Sequence, residues 1–171
     1  MKSNHRLPVA SLPVETVDGI FLAHYSAEGL MRLDFPSRKK PTPGWVEISG
    51  LRARISRWHK LTTRALKEVL AGKPISKLPP FDLSETTEFQ RKVWSALEKI
   101  PAGQTKTYGE LARELGNAKA MRAVGRGCGT NPIPILIPCH RLVAARGKIG
   151  GFSGGLKWKE ALLKREGVVL L

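Results

Sequence analysis

"TYGELARELGNAKAMRAVGRGCG", Thr107–Gly129, decides the fold of the chain's second half. "TYGELARELG" reads as a short helix closed by Gly116, and after "NA" a second short helix runs through "KAMRAVGRGCG". Two short helices joined by a tight glycine-containing turn make a helix-turn-helix candidate. The second helix is unusual. Ala118, Ala120, Ala123, Gly125, Gly127 and Gly129 are all small, and each glycine in a helix interior costs about 1 kcal/mol. That cost implies close approach of the backbone to a neighbour, either protein or nucleic acid. A helix with few long side chains reads bases poorly in the major groove and suits a tight fit in the narrower minor groove. Arg122 is then the one long side chain reaching forward from that surface.

Upstream, Thr87 followed three residues later by Gln90 is a capping-box pattern. Phe89, Val93, Leu97 and Ile100 mark one face of the helix it starts, and "PAGQ" stops that helix. Downstream lies "NPIPILIPCHRLV", Asn131–Val143. Its prolines and apolar run form a rigid, buried approach to Cys139. Burial as a small hydrophobe is the commoner fate of a free cysteine. A nucleophilic cysteine needs a base, and His140 is adjacent. Neighbours on an extended strand point to opposite faces, so a direct contact requires a turn at Pro138 or a bridging water. The base in turn needs an orienting carboxylate, and Glu160 and Glu166 are the acidic residues nearest the C-terminus. "GKIGGFSGG" is a glycine-rich loop holding Ser153, and "SGGLKWKEALLKREG" is a final helix.

In the first half, "GIFLAHYSAEGLMRLDF" (19–35) reads as two strands joined by a turn at Ser26–Gly29. "SRKKPTPG" is a basic, proline-rich loop and "GWVEIS" a short strand. Leu51, Ile55, Trp58, Leu61, Leu66, Val69 and Leu70 recur with helical spacing, and "AGKP" ends that run. "KPISKLPPFDLSE" (73–85) reads as a linker. The expected division is 1–85, an α/β domain with its linker from about 73, and 86–171, mostly helical.

The chain has 171 residues, 29 basic and 14 acidic, with a formal charge of +15. Residues 86–171 carry 15 basic and 6 acidic side chains. So basic a chain seeks polyanions, and nucleic acid fits better than a membrane surface in the absence of a basic amphipathic helix with an aromatic face. No apolar run spans a bilayer, and "MKSNHRLPVA" has no h-region. Cys128 and Cys139 make no disulfide framework, which points to reduced thiols and a cytoplasmic setting, at the nucleoid in a prokaryote. His5, His24, His59, His140 and the two cysteines show no metal-ligand spacing.

"NPIPILIPCHRLV" resembles the active-site signature of the O6-alkylguanine-DNA alkyltransferases, and "FQRKVWSALEKIPAGQTKTYGELA", "AMRAVGRGCGTNP" and "GGFSGGLKWKEALLKREG" agree with it in order across 86–171. The first half resembles the family's N-terminal domain only loosely. The resemblance implies an α/β first domain and a mostly helical second domain with a winged-helix-like helix-turn-helix. It implies single-turnover transfer of an alkyl group, mainly methyl, from O6 of guanine in duplex DNA, with O4-alkylthymine as a further substrate, and no cofactor. Cys139 would accept the alkyl group, and His140 would take its proton through a water. Glu166 would hold His140, and Asn131 would brace the turn. Tyr108 would press on the target nucleotide and donate a proton towards the departing guanine. Arg122 would fill the gap left by the flipped base, while Gly109, Phe152 and Ser153 would contact DNA or guanine. The partner is alkylated duplex DNA bound through its minor groove by a monomer. Met121, Arg126, Leu142 and Phe152 depart from the common pattern, and Cys128 reads as packing. The alternative is an alkyltransferase-like module that binds the lesion without transfer. A helix-turn-helix regulator and a cysteine hydrolase are further readings, and both leave features unused.

Overall fold

The computed structural model describes residues 7–37, 42–46 and 48–169. The basic stretch 38–41, Glu47 and residues 1–6 lie outside them, so "MKSNHRLPVA", "SRKKPTPG" and "GWVEIS" are described only in part. The chain divides into two compact units, one of Met1–Lys67 with Ser76–Glu85, the other of Glu68–Ile75 with Thr86–Leu171.

The first unit is a four-stranded antiparallel sheet with a helix. Strands β1 (Ala10–Thr16), β2 (Gly19–Tyr25), β3 (Leu30–Asp34) and β4 (Gly44–Trp45) lie in the order β3-β2-β1-β4. The β2–β3 hairpin forms where the turn residues were expected. Strand β1 has no counterpart in the sequence reading. Pro13 interrupts its pattern; β4 pairs only with Ala10 and Ser11, so Pro13 is paired with β2 alone. Helix α1 (Leu51–Leu70) runs unbroken. It buries Leu51, Ile55, Ala65 and Leu66, and the Tyr25 hydroxyl donates to Thr62 Oγ1 at 2.9 Å.

The reading of 73–85 as a linker needs correction. Leu30 N–H donates to Pro80 O and Asp82 N–H to Leu30 O, each at 2.9 Å, so Pro80–Asp82 pairs with the start of β3. A Cβ on Gly29 would lie 2.3 Å from Pro80 O. Proline-rich composition signals the absence of helix, and here the segment satisfies its polar groups against a sheet edge instead.

The second unit holds α2 (Glu88–Glu98), β5 (Lys106–Thr107), α3 (Tyr108–Glu114), α4 (Met121–Gly129), β6 (Leu142–Val143) and α5 (Leu156–Arg165). The Thr87–Gln90 capping box opens α2 as expected, and an unanticipated one, Thr107–Glu110, opens α3. Phe89 was expected on the buried face of α2 but is 38% exposed. Trp94 is buried in its place and donates from Nε1 to Gly127 O at 2.9 Å. Ala118–Ala120 forms a 3-10 turn before α4 and not the first turn of that helix. Among the described residues no helix is long and apolar enough to cross a membrane.

Candidate active site

The small residues of α4 have separate reasons. On the buried side, Gly127 faces Val93 of α2, where a Cβ would make ordinary packing contact at 3.5 Å. Gly125 instead faces the Tyr108 ring, 3.9 Å from a Cβ there. Gly150, at φ +69°, approaches the other side of that ring, where a Cβ would lie 3.2 Å away. Tyr108, at the first position of α3, is fixed in backbone by the Thr107–Glu110 box and flanked in side chain by two glycines.

The segment before Cys139 is not an extended strand. Ile135 sits at φ +74°, rare for a β-branched residue. Asn131 overrides that cost: its Oδ1 accepts from Ile133 N–H at 3.0 Å and its Nδ2 donates to Ile137 O at 2.9 Å. The same Nδ2 reaches Cys139 Sγ at 3.1 Å. A 3-10 turn, Cys139–Arg141, follows Pro138 and supplies the turn that an extended chain lacks.

That turn sends neighbouring side chains to different tasks. Cys139, 3% exposed, lines a cavity of about 270 Å³ with Tyr108, Gly125, Cys128, Gly129, Gly151, Phe152 and Ser153. Fully buried His140 donates from Nε2 to Glu166 Oε1 at 2.9 Å. Glu160 is exposed, so the structure chooses Glu166 as the imidazole's carboxylate partner. A carboxylate can only accept here, so the proton sits on Nε2 and Nδ1 carries a lone pair. Nδ1 is buried with no hydrogen-bond partner among the described residues. Burial holds the His140 pKa below 6.5, against the upward pull of Glu166, so the imidazole rests neutral. Burial also pushes the Cys139 thiol up to about 11, against the opposing effects of Asn131 and Lys159, so the sulfur rests protonated.

Glu166 is shared. Arg141 donates to it from Nε at 3.0 Å and from NH2 at 2.9 Å, and Gly103 N–H at 3.3 Å. Burial alone would raise this carboxyl, but the bonds and charges of His140 and Arg141 bring it down to about 2. The "PAGQ" turn that ends α2 therefore also delivers a donor to the site, and Gly103 adopts φ +80° to do so.

Sequence reasoning missed Arg141 and Lys159. Lys159 is fully buried and donates from Nζ to Leu142 O at 2.5 Å and Gly151 O at 3.1 Å, joining β6 to the glycine-rich loop. Burial pulls its pKa down to about 8, against the upward pull that Cys139 and Cys128 exert when ionised. The signal was present: Lys159, Leu162, Leu163 and Glu166 follow helical spacing, with a charge at each end of an apolar stripe. Of the other expected residues, Ser153 and Phe152 line the cavity, and Phe152 meets His140 edge to face at 6.5 Å between ring centroids. Gly109 lies outside the cavity lining, under Met121, whose Sδ is 3.2 Å from a Cβ built there. Arg122 stands exposed on α4, also outside that lining. Cys128 lines the cavity, and burial pushes its thiol up to about 12. Among the described residues no cluster of three or more histidine, cysteine or acidic side chains could hold a metal.

The family described as 6-O-methylguanine DNA methyltransferase, DNA binding domain, matches residues 88–168. A methylated-DNA–protein-cysteine methyltransferase of Methanosarcina acetivorans is 41% identical over 156 residues, covering 90% of this chain and 95% of the relative. The crystal structure of the Mycobacterium tuberculosis O6-methylguanine methyltransferase superposes with a TM-score of 0.70 at 32% identity and 91% coverage of both chains. The Mycobacterium tuberculosis OGT in complex with DNA gives 0.69 at 32% identity and 90% coverage of both. A cavity-lining cysteine braced by asparagine, with a neutral histidine held by glutamate beside it, thus sits in a chain similar over nine-tenths of its length to these proteins: the chain belongs to the O6-methylguanine DNA methyltransferase family, the methylated-DNA–protein-cysteine methyltransferases.

Proposed function

We propose that this protein repairs DNA by direct reversal, moving an alkyl group, mainly methyl, from O6 of guanine onto Cys139. The observation that carries the reading is the pairing of a cavity-lining Cys139 with a neutral His140 whose bare Nδ1 is buried and unpartnered while Nε2–H is held by Glu166. The thiol proton passes through a water to Nδ1, and Glu166 stabilises the imidazolium. The thiolate attacks the alkyl carbon, a C–S bond forms, and the C–O bond breaks with its electron pair moving onto guanine. Burial raises the Tyr108 pKa, so Tyr108 holds its proton and can donate it to the departing base. One proton leaves sulfur and one is gained by guanine, so the reaction balances.

The alkyl carbon is inaccessible in a stacked duplex, so the nucleotide must leave the helix, at a cost of a few kcal/mol. Arg122, exposed on a helix of small residues, suits the vacated base position in the minor groove. Gly109, Phe152 and Ser153 contact the nucleotide and base. The second unit binds DNA and accepts the alkyl group; the protein acts as a monomer, in the cytoplasm or at the nucleoid. Lesion binding without transfer leaves the Cys139–His140–Glu166 arrangement without a task.

Intact mass after exposure to O6-methylguanine DNA is the test. One methyl group replacing one hydrogen is expected, mapping to Cys139 and absent from Cys139→Ala, which should still bind the lesion. Uptake by that variant would move the acceptor elsewhere.

A further inference from the structure

We propose that the exposed face of α1, in the first unit, is a second nucleic-acid surface that grips the phosphate backbone. This goes beyond the transfer reaction, which uses only residues of the second unit. Helix α1 carries six basic side chains, Arg52, Arg54, Arg57, Lys60, Arg64 and Lys67, against the single Glu68. Two of the six are engaged by aromatic rings. Arg52 lies over the Trp45 ring at 5.4 Å, and Arg54 lies over Trp58 at 5.1 Å and donates to Ala27 O at 2.7 Å.

The other four are exposed and make no ion pair among the described residues. They follow one another at intervals of three or four residues, which places them in a single row with neighbours roughly 5–6 Å apart at Cβ. The row extends about 15 Å along the axis. It lies opposite the buried face of Ile55, Thr62, Ala65 and Leu66. Ala53 and Ser56, also exposed, share its side of the helix, and their small size leaves the cations unshielded.

Like charges in a row repel, and i,i+4 pairs of one sign destabilise a helix. A fold that needed only a solvated face would gain from interspersed carboxylates. A linear polyanion with a charge about every 3.4 Å per strand is the complementary partner. A lipid surface fits less well, since the apolar side of α1 is already buried and cannot enter a bilayer interface.

The test is binding of undamaged duplex DNA to the full-length protein from 50 to 200 mM salt. Each phosphate contact contributes about 0.9 to the slope of log affinity against log salt. A quadruple Arg57→Gln, Lys60→Gln, Arg64→Gln, Lys67→Gln variant should flatten that slope by about 2–4. It should lose on the order of 10–100-fold in affinity at low salt. The double variant Lys73→Gln, Lys77→Gln controls for net charge and should change the slope by less than half as much. Alkyl uptake from free O6-benzylguanine should be equal in wild type and the quadruple variant, which shows that the variant folds. Absence of that uptake in both proteins would refute the transfer chemistry and leave the slope measurement intact. An unchanged slope, a loss no greater than the control's, or a loss confined to phosphatidylserine vesicles would each overturn the proposal.

Discussion

Glu166 serves two partners at once, the neutral His140 and the cationic Arg141, and both feel its loss. Its side chain is 2% exposed and holds both His140 and Arg141. Glu166→Gln leaves the Arg141 guanidinium buried without its counter-ion, which commonly costs about 3–5 kcal/mol, so a melt should show a large loss of stability. The carboxyl's folded pKa of about 2 lies below its ordinary 4.5. Its contribution is therefore complete above pH 4.5 and is lost as pH falls towards 2, amounting to about 3 kcal/mol. Neutral His140 adds a loss in the same direction, because the unfolded chain takes up a proton near pH 6.5 before the folded one does. Acid unfolding followed at a series of pH values should show both losses, and the second should vanish in His140→Gln. The kinetic counterpart is the rate of alkyl uptake from a free base. It should fall on the acid side only as pH drops below 6.5, through the depressed His140 pKa. A limb above 6.5 would mean that the imidazole rests charged and cannot be the base.

Between α3 and α4 the helix pair was legible, because Gly116 and the run of small residues are local signals. What the small residues do was not. A glycine facing Val93, one facing the Tyr108 ring and one facing open space read alike in a sequence, since their difference lies in what is opposite them. The turn at Cys139 follows from the residues only as a geometric requirement, and its brace by Asn131 only from the family resemblance, since Asn131's three bonds depend on a chain path that no local pattern encodes. Strand β1 escapes the pattern because Pro13 interrupts it, although β2 alone pairs with the chain at that point. The structure separates two substitutions near the helix pair. Gly150→Ala puts a Cβ 3.2 Å from the Tyr108 ring at a backbone angle that favours glycine. It should therefore slow alkyl uptake from both duplex DNA and free O6-benzylguanine. Arg122→Ala changes an exposed residue outside the cavity lining, and should slow repair of duplex far more than uptake from the free base, which needs no extrusion. Equal losses for Arg122→Ala on both substrates would assign it to the fold or the cavity instead.

How many alkyl groups one chain can take depends on its two cysteines. Two thiols line the same cavity, so geometry alone permits two acceptors. Their surroundings do not. Cys139 has the Asn131 bond at 3.1 Å and His140 beside it in sequence, whereas burial and the neighbouring sulfur push Cys128 up to about 12. A thioether on Cys139 is a stable C–S bond whose cleavage would expel a thiolate from a site that disfavours the charged sulfur. His140 and Glu166 can move a proton, but neither makes that bond labile. Each chain should therefore take up one alkyl group and stop. Cys128→Ala should leave that yield unchanged. The added carbon sits on a 3%-exposed side chain whose sulfur is already bonded to Asn131, and overpacking of this kind costs about 1–3 kcal/mol. The spent protein should accordingly melt several degrees below the fresh one, at about 2–4 °C per kcal/mol for a protein of this size. Lesion DNA in molar excess, intact mass at completion and a melt of the product make the measurement. A yield of two would mark Cys128 as a second acceptor, and a yield that keeps rising would end the single-turnover reading. An unchanged melting temperature with a yield of one would show that the cavity absorbs the methyl group without strain.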